Sequence, residues 1–180
     1  YVVTLPLGDG YTITYTDSTT VEHGDSFSFT LAVLAAYSDS VVEVKVGTTT
    51  ITPVGDVYTI TNITADITVE VIGVTINTYV VALPTGTGYT IVTSDPTTVE
   101  FNGIFSFTIT LDAEYSNSSV VVKVNGVPLS AAGGVYTIAN IVEDKTVTVE
   151  NLNINAYNVI LTSGTGYVLT PEAGSSSPVN

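Results

Sequence analysis

The sequence predicts an all-β protein made of small tandem β-sandwich units of about seven strands each, followed by an incomplete third unit. Three observations predict it. Apolar residues recur with a period of two, clusters of Gly, Asn and Asp punctuate the short runs, and the whole pattern repeats at a fixed interval. Tyr1, Tyr79 and Tyr157 open nearly the same phrase, "YVVTLPLGDGYTIT", "YVVALPTGTGYTIV" and "YNVILTSGTGYVLT", at a spacing of 78 residues. The units are therefore 1–78 and 79–156, with 157–180 a partial third.

In the first unit the strands fall near Tyr1, Tyr11, Phe27, Val42, Ile51, Val57 and Ile67. Tyr11, Ile13 and Tyr15 alternate with threonines; Phe27, Phe29, Leu31 and Val33 alternate with Ser, Thr and Ala; Val42, Val44 and Val46 alternate with Glu43 and Lys45. Such alternation is that of half-buried antiparallel strands, with one face on a core and one in water. Gly8-Asp9-Gly10, Asn125-Gly126 and Gly133-Gly134 mark turns. Leu31–Tyr37 is the one helix-like stretch, and "TLDAEY" at the corresponding place in the second copy argues against a helix there. Strand number and unit size suit a sandwich of immunoglobulin-like type.

The junction "VEVIGVTINTYVVALP" has no flexible linker. Its inward phase changes twice: Val69 and Val71 share one parity, Ile72, Val74 and Ile76 the other, and Tyr79, Val81 and Leu83 return to the first. A bulge or sheet switch near Gly73 and Asn77 accounts for this, and a structured apolar junction favours a stiff rod. The third copy carries only the first two strands and a polar tail, which cannot bury a core alone. It belongs to a longer array, caps the second unit, or is completed by another subunit through strand addition, with Tyr157, Val159, Leu161, Tyr167 and Leu169 as the assembling side chains.

Composition narrows the function. With 3 Lys+Arg against 17 Asp+Glu, the net charge of −14 disfavours nucleic acid and anionic membranes, and no apolar run is long enough for a membrane-spanning helix. Cys, Met and Trp are absent, so disulfides and soft metal sites are excluded. An acidic, Thr- and Tyr-rich chain with so little Lys reads as extracellular, at a cell surface.

The words Y-x-V-x-L-P-x-G-x-G-Y-T, "FSFT" and V-Y-T-I-x-N-I-x-x-D-x-T-V, present in both full copies, resemble the tandem immunoglobulin-like and divergent internalin-B-type repeats of large bacterial surface proteins. The resemblance implies stalks, spacers and adhesive or fibrous arrays rather than enzymes.

No catalytic constellation offsets that implication. His23, the sole histidine, is replaced by Phe101 in the second copy, so a packed loop aromatic is the simpler reading than a general base. Lys45 and Lys123 lie in the outward phase of a strand, as solubilising lysines rather than crosslinking ones. No cofactor is expected. Calcium is the one metal to weigh: Asp17, Glu22 and Asp66 recur as Asp95, Glu100 and Asp144, all in turns, and Asp66 is placed to bond turn amides before the last strand. Asn62 and Asn117 head N-glycosylation sequons. "LPTGTG" at 83–88 departs from a wall-sorting signal, having Gly86 where Thr is required.

The reading is a non-enzymatic structural repeat protein, self-assembling head to tail as a homopolymer or longer array. The alternative is an adhesin or carbohydrate-binding module whose partner is a glycan or a host surface. Because like charges on the copies repel, assembly is expected to strengthen as NaCl or a divalent cation screens them. Light scattering across a salt series checks this, and assembly indifferent to salt contradicts it.

Overall fold

The computed structural model describes residues 1–162 and 164–170, and over them the protein is all-β. The first compact unit comprises Tyr1–Tyr79 together with Glu100–Asn102. Its strands are β1 (Val3–Thr4), β2 (Tyr11–Thr14), β3 (Phe27–Val33), β4 (Glu43–Val46), β5 (Thr49–Ile51), β6 (Val57–Ile60) and β7 (Ile67–Ile72). They form two open sheets, β1-β7-β4-β5 and β2-β3-β6. One feature differs from the antiparallel expectation: β1 pairs parallel to β7, with Val3 opposite Ile67 and Thr4 opposite Thr68. First and last strands run side by side, a long-range pairing that side-chain alternation does not encode.

The two sheets bury one cluster of side chains: Val3, Val44 and Val69 from one, Phe27, Phe29 and Ile60 from the other, and Ile63 from the turn before β7. These are alternate residues of their strands, and the outward faces carry Thr, Ser, Glu and Lys. Phe29 stacks on Tyr58 with ring centroids 5.3 Å apart.

The second unit, Val80–Val99 with Gly103–Asn180, repeats this plan. Its strands are β8 (Thr78–Ala82, most of which lies in this unit), β9 (Tyr89–Val92), β10 (Thr98–Glu100), β11 (Gly103–Leu111), β12 (Val121–Val124), β13 (Val127–Leu129), β14 (Val135–Ile141) and β15 (Lys145–Glu150). Val81, Phe105, Phe107, Val122, Ile138, Ile141 and Val147, the counterparts of the first cluster, are all buried. Phe107 stacks on Tyr136 at 5.2 Å. The helix-like stretch is the end of β3 followed by a single 3₁₀ turn, Ala35–Tyr37, and Ala113–Tyr115 repeats it.

The recurring G-x-G-Y has two separate tasks. A Cβ on Gly8 would stand 2.7 Å from Tyr11 Oη and one on Gly86 2.8 Å from the Tyr89 ring, so the first glycine makes room for the tyrosine three residues later. The second, Gly10 (φ +92°) or Gly88 (φ +91°), turns the chain and lies against the tyrosine of the 3₁₀ turn, Tyr37 or Tyr115. In the third copy, Gly164 has the first contact, with Tyr167. Gly166 has the same φ of +90°, yet a Cβ on it would meet nothing within 4 Å. The third phrase thus forms its local turn, with Gly164 bridging Tyr167, but among the described residues none packs on Gly166.

Gly88→Ala is expected to destabilise the second unit by about 2–5 kcal/mol, from a left-handed backbone plus overpacking against Tyr115. Gly166→Ala, in the same phrase, carries the left-handed backbone cost alone and should change urea unfolding by no more than about 1–2 kcal/mol. Equal effects of the two would remove the distinction between the local and the tertiary glycine.

Candidate functional site

The features that recur at the end of each unit make the candidate site. Past β7 the chain kinks at Gly73 (φ +79°), where a side chain would run into the Val41 carbonyl. Its counterpart Asn151 adopts φ +62°. This is the phase change the sequence places near Gly73, and it carries the outgoing segment off the β4 ladder. Side chains then supply the missing backbone partners. Ser40 Oγ accepts from Thr75 N–H and donates to Thr75 O, both at 2.9 Å. In the second unit Ser118 Oγ bridges Asn153 N and O in the same way, at 2.9 and 3.0 Å.

Two residues on, Asn77 is one of two buried polar residues among the described residues, 5 % exposed. Its Nδ2 donates to Ala35 O at 3.3 Å and Ser38 Oγ at 2.9 Å, and its Oδ1 accepts from Asp39 N–H at 3.1 Å. Its own N–H donates to Ala36 O at 2.8 Å. One side chain therefore holds the whole 3₁₀ turn against the departing strand. Asn155, 4 % exposed, reproduces the set: Nδ2 to Ala113 O and Ser116 Oγ, both at 2.9 Å, and Oδ1 from Asn117 N–H at 3.0 Å. Asn155 Nδ2 also donates to Tyr157 Oη at 3.3 Å.

Asp66 and Asp144 make the other repeated contact. Asp66 Oδ1 accepts from Val2 N–H and Asp144 Oδ1 from Val80 N–H, each at 2.8 Å. The sequence places the partner of Asp66 in its own turn. The carboxylate instead reaches an amide 64 residues away, because the parallel pairing brings the first strand beside the start of the last. Asp95 Oδ2 accepts from Ser106 N–H at 2.7 Å, while Asp17, Glu22 and Glu100 are exposed. Among the described residues, no three His, Cys, Asp or Glu side chains come together as a metal-binding group. The six weighed for calcium are not gathered into one place.

Asn62 is exposed and takes φ +55°, and its counterpart Asn140, which heads no sequon, takes +54°. The left-handed turn accounts for an Asn at both positions. Asn117 is exposed, with its main-chain N–H held by Asn155. His23 is exposed and lies 6.0 Å, ring to ring, from Tyr1. Lys45 pairs with Glu43 at 2.9 Å, Lys123 with Glu150 and Lys145 with Glu143, both at 2.7 Å. The Lys145 ammonium beside Glu143, hydrogen-bonded to it, holds that carboxyl below its ordinary range.

Of the residues named for assembly, Tyr157 (60 % exposed), Val159, Leu161, Tyr167 and Leu169 all present apolar surface to solvent. Sequence reasoning passed over the clamp itself, Ser40 with Asn77 and Ser118 with Asn155. The available signal was "YSDS" against "YSNS", with "IN" closing both copies. No family model, curated protein or solved structure matches the chain.

Asn77→Ala should cost the first unit about 1–3 kcal/mol, since Ala35 O, Ser38 Oγ and Asp39 N–H lose their bonds to a buried side chain. Asn77→Asp keeps the shape but faces Ala35 O with an acceptor. Its carboxyl is thereby favoured in the protonated form, so the variant should be most stable at low pH and lose stability as pH rises through the carboxylate range. Urea midpoints of the two variants between pH 3 and pH 8 check this, and a pH-independent Asn77→Asp would contradict the donor role.

Proposed function

We propose that this chain is a stretch of a non-enzymatic extracellular array: immunoglobulin-like β-sandwich repeats joined end to end in a surface stalk or filament that grows head to tail. The observation that carries this reading is what recurs at the 78-residue period and what does not. Asn77 and Asn155, Ser40 and Ser118, Asp66 and Asp144 recur, and each bonds backbone groups of its own unit, the two asparagines adding the hydroxyl of Ser38 or Ser116. The sole histidine does not recur, being matched by Phe101. A repeat that preserves its architecture while its titratable surface drifts is what a spacer requires. The resemblance to bacterial surface repeats and the acidic, cysteine-free composition agree with that role. The exposed apolar row of Tyr157, Val159 and Leu161 supplies adhesive surface, which strand addition to another subunit would bury.

Negative-stain microscopy and light scattering on the 180-residue chain, beside a version ending at Ala156, test the reading. Fibres or elongated oligomers from the full chain, lost on shortening, are the expected result. Monomers at every concentration and salt would sink self-assembly by this chain.

A further inference from the structure

The two clamps are alike in their bonds but not in what covers them. In the first unit the turn Glu100–Asn102 closes over the clamp, and Phe101 N–H donates to the Asn77 carbonyl at 2.9 Å. Ile76, Tyr79 and Phe101 are each half-buried there. In the second unit Ile154 is 50 % and Tyr157 60 % exposed, and a groove of about 480 Å³ opens among Ala113, Glu114, Ile154, Asn155 and Tyr157. Its lining residues correspond to Ala35, Ala36, Ile76, Asn77 and Tyr79 of the first unit, where the Phe101 turn bonds the Asn77 carbonyl.

The chain itself contains the matching piece. The counterpart of Val99-Glu100-Phe101-Asn102 is Val21-Glu22-His23-Gly24, and Glu22, His23 and Gly24 are exposed. The two turns share a backbone shape, with φ +89° at Gly24 and +61° at Asn102. Val21 N–H already donates to Tyr1 O at 2.9 Å, and Val3 N–H to Thr19 O at 2.8 Å. At the equivalent rung Phe101 N–H donates to the carbonyl of Asn77, two residues before Tyr79. Asn155 stands two residues before Tyr157.

We propose that a second copy of this chain seats its Val21–Gly24 turn in the groove beside Asn155, with His23 N–H donating to the Asn155 carbonyl as Phe101 N–H does to that of Asn77. Tyr157, Val159 and Leu161 repeat the spacing of Tyr1, Val3 and Leu5, and they take the place of those residues beside Thr19 and Val21 of the second copy. Association is thus a strand exchange, slow because β1 of the acceptor must leave first. The contact is heterologous and propagates, since each copy carries both the groove and the turn. This inference rests on the head-to-tail reading and gives that reading its two surfaces.

The chain has no cysteine, so introduced thiols report without background. Chains carrying His23→Cys are mixed with chains carrying Ile154→Cys, treated with a short bis-maleimide and analysed by mass spectrometry. Links joining residue 23 of one copy to residue 154 of another, increasing with protein concentration, are expected. His23→Pro, which removes the N–H, should weaken association in sedimentation by about tenfold, the scale of one interfacial hydrogen bond, whereas His23→Phe should associate at least as well as the native chain. Urea unfolding of His23→Pro establishes that it is folded; if it is not, the cross-links decide. Assembly without 23-to-154 links, or a folded His23→Pro that associates like the native chain, overturns this docking and leaves self-assembly standing. No association under any condition overturns both.

Discussion

Everything in a unit depends on how its last strand leaves. A strand that turns out of its ladder exposes backbone donors and acceptors, and each one left buried and unpaired costs as much as a lost hydrogen bond. At Gly73 and Asn151 the chain makes such a turn, and Ser and Asn side chains stand in for the missing strand. Ser40 does so almost literally, meeting both the N–H and the C=O of Thr75 with one oxygen. Asn77 completes the substitution, because an amide side chain offers the same donor and acceptor as a peptide group. Among the described residues, no buried side-chain nitrogen or oxygen is left without a partner.

That closure explains how a sequence so poor in charge holds polar chain ends in order. The unit is fastened at opposite ends of its sequence by two kinds of contact. Asp66 and Asp144 tie the first strand to the start of the last, and the Asn clamp ties the exit to the 3₁₀ turn. Both work mainly through backbone groups, and the clamp adds one side chain that recurs, the hydroxyl of Ser38 or Ser116. Asp39 becomes Asn117 at the clamp, and the main-chain N–H at that position bonds the clamp asparagine in both units. The solvent-facing Lys–Glu pairs are a weaker matter. Exposed pairs of this kind contribute little, and the partner of Lys45 on its own strand becomes, for Lys123, a residue on the neighbouring strand.

The strands were legible because each is half-buried, so alternation reports the inward face directly, from Phe27 and Phe29 to Val147. The break at Gly73 was legible for the same reason: parity flips where the face does. What alternation cannot report is which strand lies beside which. The parallel pairing of β1 with β7 escaped it, and with that pairing went the true partner of Asp66. The hydrogen-bonding role of Asn77 escaped for a different reason. An Asn inside an apolar run reads as a breaker, and its role as a surrogate peptide group depends on a turn some 40 residues away, contacts that recur as a pattern only when the two copies are laid side by side.

The third phrase separates what a repeat owns locally from what it borrows. Gly164 and Tyr167, three residues apart, make the same close contact as Gly8 and Tyr11 and form a bridge of their own. The partner of the second glycine is a tyrosine 27 residues further on in each complete unit, Tyr37 for Gly10 and Tyr115 for Gly88. Local geometry therefore survives where tertiary geometry has nothing to build on. Loop-closure entropy sets that order: a three-residue turn closes cheaply, whereas bringing β1 beside β7 closes nearly the whole unit. A unit of this plan commits to its fold only when the last strand arrives. Until then β1 lacks the strand it pairs with, because β2 pairs with β3 in the other sheet.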